Sequence, residues 1–151
     1  MKTQQPEMKI DANGTKQWLL NGTLHRTDGP AIERADGYKE WWLNGERHRV
    51  DGPAIEYANG SKEWWLNGEC HRIDGPAFEL ANGNKWWYQD GEHHRTDGPA
   101  IEWANCRKQW WLNDERLGDD AEGFHVLLRR LGDTDPDAAY NLLLKYPEYQ
   151  R

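Results

Sequence analysis

Histidine recurs at a fixed interval in this chain, and imidazole is a side chain suited to metal binding and proton transfer. The histidines of this column are 23 residues apart, at His25, His48, His71 and His94, with His93 beside the last. Ligands of one zinc ion lie about 2.0–2.1 Å from it, whereas equivalent residues two strands apart in a sheet are separated by about 9.5 Å. The interval therefore favours a structural role, in which histidines close bends of the chain, over a metal, cofactor or catalytic site.

Arginine and aspartate follow the same interval. Each arginine stands two residues before an aspartate, in the pairs Arg26 and Asp28, Arg49 and Asp51, Arg72 and Asp74, and Arg95 and Asp97. One interpretation is a local Arg–Asp or Arg–carbonyl contact that holds a bend in shape. The alternative is an arginine ladder interleaved with exposed indoles, which would suit anionic or planar ligands such as nucleotides.

A column of glutamates also recurs, at Glu33, Glu56, Glu79 and Glu102. These carboxylates have two interpretations. They pair across strands with Lys39, Lys62 and Lys85, or they engage a basic surface of a partner. The net charge of −7 disfavours nucleic acid as a direct ligand, because the field of the chain repels phosphates.

All these columns belong to one 23-residue unit that is written four times, at 14–36, 37–59, 60–82 and 83–105. A fifth, partial copy spans 106–116. Within the N-terminal segment 1–13, residues 8–13 resemble the second half of an eroded copy. Units repeated in series predict a stacked architecture in which each unit contacts mainly its neighbours and the array offers an extended surface.

Turn signals divide each unit into short segments. Asn59-Gly60 and Asn67-Gly68 supply the positive φ values that hairpin turns need, and between such pairs lie five-residue runs such as Lys62–Leu66 and Ala54–Ala58. Asp-Gly-Pro removes an amide donor and therefore predicts a bend or the start of a strand. We expect a mainly β fold: one elongated antiparallel sheet of about ten strands, built from stacked hairpins joined by bent connectors.

Alternation along a strand places neighbouring residues on opposite faces. The first aromatic column is Trp18, Trp41, Trp64, Trp87 and Trp110, and the second is Leu19, Trp42, Trp65, Tyr88 and Trp111. We expect the first column to pack on an inner face with Ile32, Ile55, Phe78 and Ile101, and the second to lie on a more accessible face. Cys70 and His93 share one variable position and are expected to be plain surface substitutions.

The period changes after Arg116, where a C-terminal segment, 117–151, indicates a helical cap. Phe124, Leu127, Leu128 and Leu131 follow helical spacing, with Asp119 or Asp120 as the N-cap and Gly132 as the stop. A second helix is expected from Thr134-Asp135-Pro136 to about Lys145. The pair either covers the last strand or serves as a partner-binding or dimerisation element.

Composition sets the expected compartment. No run approaches the roughly 18–20 apolar residues of a membrane span, and the first ten residues lack the apolar centre of a signal peptide. Cys70 and Cys106 match no disulfide or metal spacing. We therefore expect a cytoplasmic protein with no membrane contact.

The pattern NG-E-x-H-R-x-D-G-P-A-I-E-x-A-N-G-x-K-x-W-W, over roughly residues 8–116, resembles the MORN-repeat variants. Trp-Trp and Asp-Gly-Pro-Ala stand where typical MORN units carry Tyr-x-Gly and Gly-x-Gly. The resemblance implies β-hairpins in open, elongated sheets. Some bacterial proteins built from such repeats are antitoxin-like, and similar arrays occur in phage and other viral proteins.

Together these patterns predict a non-enzymatic repeat protein that binds another macromolecule, with an antitoxin, immunity or phage-encoded inhibitor role implied by the resemblance. The expected partner is a protein with a basic surface. Alternatives are a nucleotide- or anion-sequestering module and a scaffold that self-associates through a sheet edge or the C-terminal helices. The candidate partner-binding residues are Trp42, Trp65, Tyr88, Trp111, Arg49, Arg72, Arg95, Glu56, Glu79 and Glu102.

Overall fold

The computed structural model describes residues 5–150 and is mostly β, as predicted. The strands in chain order are β1 (Glu7–Ile10), β2 (Lys16–Leu20), β3 (Thr23–Leu24), β4 (Ile32–Glu33), β5 (Lys39–Glu40), β6 (Trp42–Leu43), β7 (Glu46–Arg47), β8 (Ile55–Glu56), β9 (Lys62–Glu63), β10 (Trp65–Leu66), β11 (Glu69–Cys70), β12 (Phe78–Glu79), β13 (Lys85–Trp86), β14 (Tyr88–Gln89), β15 (Glu92–His93), β16 (Ile101–Glu102), β17 (Lys108–Leu112) and β18 (Glu115–Asp119). Two helices follow, α1 (Asp120–Thr134) and α2 (Pro136–Lys145), and then a 3₁₀ turn, Pro147–Tyr149.

Twelve strands form one antiparallel sheet, here named the central sheet. Its order is β1-β2-β4-β5-β8-β9-β12-β13-β16-β17-β18, with β3 paired to β2. Units two to four each add a separate two-stranded sheet, the lateral hairpins β6–β7, β10–β11 and β14–β15. The predicted stack of hairpins with a helical cap is confirmed, although the array holds three small sheets besides the long one.

The expected five-residue strand Lys62–Leu66 is broken at Trp64, which lies between β9 and β10. Trp64 donates its backbone N–H to Ala77 O at 2.8 Å, and its carbonyl accepts from His71 N at 3.1 Å. One residue thus bonds to the segment before β12 and to its own connector. The strand therefore changes partners here, which is why each unit contributes to two sheets.

The two Asn-Gly signals of a unit make different turns. Asn67 and Gly68 have φ of 51° and 79°, which is the type I′ pattern of a two-residue hairpin loop. In the other turn only Gly60 is left-handed, at φ 86°, and Tyr57 N donates to Ser61 O across a three-residue loop. Cys106 occupies the equivalent left-handed position in the last loop, at φ 69°.

Cross-strand register sets the two faces of the central sheet. Directly opposed positions on one face alternate in charge along the whole array, in the order Lys16, Glu33, Lys39, Glu56, Lys62, Glu79, Lys85, Glu102 and Lys108. This side also carries the first aromatic column and is named the Trp–Arg face. The opposite side carries the second aromatic column and is named the ladder face.

At the N-terminal end, β1 pairs with β2 in the register of a unit's second half. Lys9 lies opposite Gln17 and Ile10 lies opposite Lys16, as Ile32 and Glu33 lie opposite Glu40 and Lys39. The side chains of β1 are all exposed, so this end of the described array has no covering layer over its faces.

At the C-terminal end, α1 and α2 cover the last aromatic of the first column. Trp110 is fully buried, with ring-centre distances of 5.7 Å to Phe124 and 5.3 Å to Tyr146. A Cβ added at Gly123 would clash with its indole, so only glycine lets α1 approach this closely. The main apolar core of the described chain lies here, around Trp110, Leu117, Phe124, Leu127, Leu131, Ala139, Leu142 and Tyr146.

The helix boundaries largely follow the sequence signals. Asp135 caps α2 by accepting from Ala138 N, and α2 ends at Lys145 as predicted. Helix α1 continues two residues past the predicted stop at Gly132, to Thr134, and β18 extends three residues past Arg116. Asp119 is the N-cap of α1 by position but makes no side-chain cap bond.

Candidate functional site

A stack of one indole and one guanidinium is the recurring element of the Trp–Arg face. The Arg49 guanidinium carbon lies 4.0 Å from the centre of the Trp41 ring. Arg49 Nε donates to Asp51 Oδ1 at 2.9 Å, and Nη1 donates to Pro53 O and to Glu56 Oε1, both at 3.1 Å. All five residues belong to one unit, so the stack holds the connector of that unit against the strand that carries Trp41.

The same stack forms in the other complete units. Arg26, Arg72 and Arg95 lie 3.9 Å above Trp18, Trp64 and Trp87 respectively. Each also binds the aspartate two residues on and the glutamate seven residues on. The arginines therefore make the local Arg–Asp contact of the first interpretation. They lie over the first aromatic column and do not interleave with the second.

The predicted binding residues, which are arginines, glutamates and aromatic residues, lie on two different faces of the sheet. Arg49, Arg72 and Arg95 lie beside Glu56, Glu79 and Glu102 on the Trp–Arg face, in ion pairs of 3.1, 2.7 and 2.8 Å. The glutamates lie opposite the expected lysines in register but bind these arginines. The aromatic candidates Trp42, Trp65, Tyr88 and Trp111 lie on the ladder face, across the sheet from both groups.

The second aromatic column forms a stacked ladder with the returning strands of the lateral hairpins. Arg47 lies 5.2 Å from the rings of both Trp42 and Trp65. His93 lies 4.1 Å from Tyr88 and 5.0 Å from Trp111, so each bridges two successive units. The expectation that His93 is a plain surface substitution is wrong, because its ring fills a gap in the ladder.

Packing of the isoleucine column corrects the assignment of inner and outer faces. Phe78 contacts Trp65 at 6.2 Å and Tyr88 at 5.4 Å, both of the second column. Position 78 lies opposite Glu63 and Trp86 in register, on the ladder face. The first column therefore does not pack with Ile32, Ile55, Phe78 and Ile101; it packs beneath the arginines. Both columns are half-buried apart from Trp110.

Two glutamates, the buried Glu40 and the half-buried Glu63, support the ladder and were not predicted from the sequence. Glu40, 5% exposed, accepts from Trp42 Nε1 at 2.9 Å, from Arg47 Nε at 3.2 Å and from the Tyr38 hydroxyl. Glu63 accepts from Trp65 Nε1 at 2.8 Å in the next unit. This contact could have been predicted from the sequence, because alternation along a strand places Glu40 and Trp42 on the same face.

Histidine of the repeated column binds the next unit instead of closing its own connector. The backbone N–H of Asn67 donates to His48 Nδ1 at 3.2 Å, in the type I′ turn 19 residues further on. His25, His71 and His94 accept in the same way from Asn44, Asp90 and Asn113. Among residues 5–150 no group of three or more potential ligands could hold a metal ion.

Cys70 is half-buried in the hairpin position that holds Arg47 in the preceding unit. Burial, with a smaller contribution from the Glu63 charge, raises the pKa of its thiol to about 12. The thiol is therefore neutral at physiological pH and is a packing residue of the ladder, not the plain surface substitution expected.

The connectors form a ridge on the Trp–Arg face, named the connector ridge and defined by Thr27–Asp28, Val50–Asp51, Ile73–Asp74 and Thr96–Asp97. Between successive connectors lie three open grooves of about 580–590 Å³. Trp41 and Leu43 line the first, Trp64 and Leu66 the second, and Trp87 and Gln89 the third. Grooves of similar volume thus recur three times along the Trp–Arg face, once between each pair of successive connectors.

Comparison with protein-family models and with characterised proteins finds no match to this chain. The resemblance to the MORN-repeat variants therefore stays a prediction. None of the helices within residues 5–150 is long and apolar enough to cross a membrane.

Proposed function

We propose that this protein is a non-enzymatic repeat protein that binds another protein through its extended surface. The observation that supports this proposal is that the repeated polar side chains bind one another and the backbone. In each complete unit the histidine, the arginine and the column glutamate bind partners within the array. What recurs on the outside is an exposed aspartate in each connector and a shallow groove between connectors, with exposed apolar side chains in the middle two units.

The geometry gives less support to a nucleotide- or anion-sequestering module. Each arginine of the Trp–Arg face already binds two carboxylates, such as Asp74 at 2.9 Å and Glu79 at 2.7 Å for Arg72. Arg47 on the ladder face binds Glu40. An incoming phosphate would have to displace these carboxylates and enter a field that repels it.

The more specific role is an antitoxin, immunity or phage-encoded inhibitor function, and it rests on the resemblance of the units to MORN-repeat variants. An acidic array suits such a role where the target presents a basic surface. The chain carries a net charge of −7, which favours a basic partner and accelerates association with it.

Affinity capture tests the proposal. The tagged protein is incubated with a lysate of its native or infected host, and the eluate is analysed by mass spectrometry and for nucleic acid. An unrelated acidic protein of similar isoelectric point serves as the control for nonspecific basic proteins. A single stoichiometric partner protein is the expected result. Recovery of self-associated chain alone, or of bound small anions, would replace the proposal with the scaffold or the sequestering module.

A further inference from the structure

We infer that the connector ridge is the binding surface and that its partner is an extended basic segment with a cationic side chain about every 9–10 Å and apolar side chains between. This inference rests on the proposed function and specifies its surface and partner chemistry. It replaces the glutamate column as the acidic element, because those glutamates are held by arginines.

Apolar side chains stand at the centre of the ridge. Val50 and Ile73 are 82% and 79% exposed, more than any other large hydrophobic residue of the described chain. They occupy the middle two units, while the outer units carry Thr27 and Thr96 at the same position. An apolar centre with a polar rim is the usual arrangement of a protein-binding patch.

Ionised carboxylates flank these tips. Asp51 and Asp74 are each 85% exposed, and Asp28 is 81% exposed. Each uses Oδ1 to accept from the arginine of its own unit, which holds the carboxyl group in a fixed position. Asp97 differs, because Lys145 of α2 binds its Oδ2 at 2.7 Å, so three carboxylates are open to a partner.

The spacing of the ridge selects the shape of the partner. Equivalent residues of successive units are two strands apart, which corresponds to about 9.5 Å. A polyproline-II segment advances about 9.3 Å in three residues, so every third side chain can meet an aspartate. The side chains between them can enter the grooves beside Val50 and Ile73, above Trp64 and Leu66.

Synthetic peptides test the match of spacing. The periodic probe is Ac-(Arg-Leu-Pro)3-NH2, and the control has the same composition with its three arginines adjacent. Binding to the full chain is measured by calorimetry at about 0.15 M salt, where charges beyond about 8 Å are screened. We expect the periodic peptide to bind at least tenfold more tightly. Equal affinity of the two peptides, or no binding of either, overturns the inference.

Variants locate the binding on the ridge. Asp51→Asn combined with Asp74→Asn should weaken the periodic peptide at least tenfold, since the amide still accepts from arginine but lacks the charge. Glu46→Gln combined with Glu69→Gln is the matched control, because it removes the same charge from exposed positions of the same units. The control should change affinity less than twofold, and an equal loss in both pairs overturns the inference.

The apolar tips have a second matched pair. Val50→Thr combined with Ile73→Thr installs the residue that the outer units already carry, so folding is preserved, and should weaken the periodic peptide at least threefold. Ile10→Thr, at an exposed apolar position of β1, should have no effect. If capture identifies a partner whose affinity the ridge variants leave unchanged, the inference is wrong while the proposed function stands.

Discussion

The two faces of the central sheet hold the array together in different ways. On the Trp–Arg face, the contacts of Arg49 with Trp41, Asp51 and Glu56 lie inside one unit. On the ladder face, Arg47 lies between indoles of two units. The arginine stacks of the Trp–Arg face therefore stabilise the single unit, whereas the arginine of the ladder also couples two units, as the column histidines do through the next turn. Stability within units and coupling between them are the two contributions that determine stability in a repeat array.

The largest expected effect compares two members of the first aromatic column. Trp110→Ala should lower the free energy of unfolding by about 3–5 kcal/mol, because Trp110 is fully buried under α1 and α2. Trp64→Ala should cost about 2 kcal/mol, because its indole is half-buried beneath Arg72. Chemical denaturation of both variants gives the ranking. Trp110→Phe, which keeps an aromatic ring in the cap, is the milder control, and a larger loss for Trp64→Ala would contradict the difference.

The buried carboxylate of the ladder comes next. Glu40→Ala should cost about 2–3 kcal/mol, because it leaves the Trp42 indole N–H, the Tyr38 hydroxyl and the half-buried Arg47 without their acceptor. Thermal and denaturant unfolding measure the loss. Glu46→Ala, at an exposed position of β7 in the lateral hairpin of the same unit, is the control and should cost less than about 0.5 kcal/mol.

Matched arginines separate the two kinds of stabilisation. Arg49→Met and Arg47→Met should each cost about 1–2 kcal/mol through lost cation–π and ionic contacts. Only Arg47→Met should also lower the denaturant m-value, because it weakens coupling between units and lets them unfold separately. Equal m-values in the two variants would remove the distinction between the faces.

A smaller and opposite effect is expected at a turn. Cys106 adopts φ 69°, where the equivalent positions of the other loops hold Gly37, Gly60 and Gly83. Cys106→Gly should raise the free energy of unfolding by about 1 kcal/mol, since a left-handed conformation costs a residue with a Cβ about this much. Gly60→Ala is the reciprocal control and should destabilise the chain by a similar amount.

The faces should also respond to pH in opposite directions. On the ladder face, burial and the Glu63 hydrogen bond raise the pKa of Tyr57 to about 12. Its contribution is present below pH 10 and is lost as pH rises from 10 through 12. On the Trp–Arg face, the hydrogen bond and charge of Arg49 lower the pKa of Asp51 below 3.8. That contribution is present above pH 3.8 and is lost as pH falls further.

Unfolding midpoints measured across pH test this contrast. Tyr57→Phe should flatten the alkaline loss and leave the acid loss unchanged, and Asp51→Asn should do the reverse. A variant that alters both limbs equally would show that the two faces do not titrate independently.

Much of the fold follows from the sequence because the repeat imposes register. A unit with two turn signals and alternating side chains can stack in few ways, so the hairpin array and both helices were predictable. The face assignment was not, because alternation separates Trp64 from Trp65 without saying which column meets Phe78. That choice depends on the connector, whose Arg72 covers Trp64 and leaves the apolar column to the other side.

The candidate site was predicted only in part for a related reason. Spacing identified the Arg–Asp pairs, but a column of glutamates gives no sign of how exposed it is. Arg49 reaches Glu56 seven residues further on, through a bend whose path depends on backbone geometry. The sequence indicated the exposure of Val50 and Ile73 only weakly. Their position varies between Thr, Val and Ile, whereas the aspartate after it is the same in all four units.

The cap at Trp110 has a consequence for the history of the array. Phe124 of α1 and Tyr146 pack against Trp110, whereas an arginine lies over every earlier indole of the column. The cap thus packs on the partial fifth copy and on unit four, and the units before them make no part of it. Duplication or loss of a whole unit upstream would therefore leave both ends intact. Each unit gained or lost in this way would lengthen or shorten the ridge by about 9.5 Å, so the number of duplicated units would set the length of the surface.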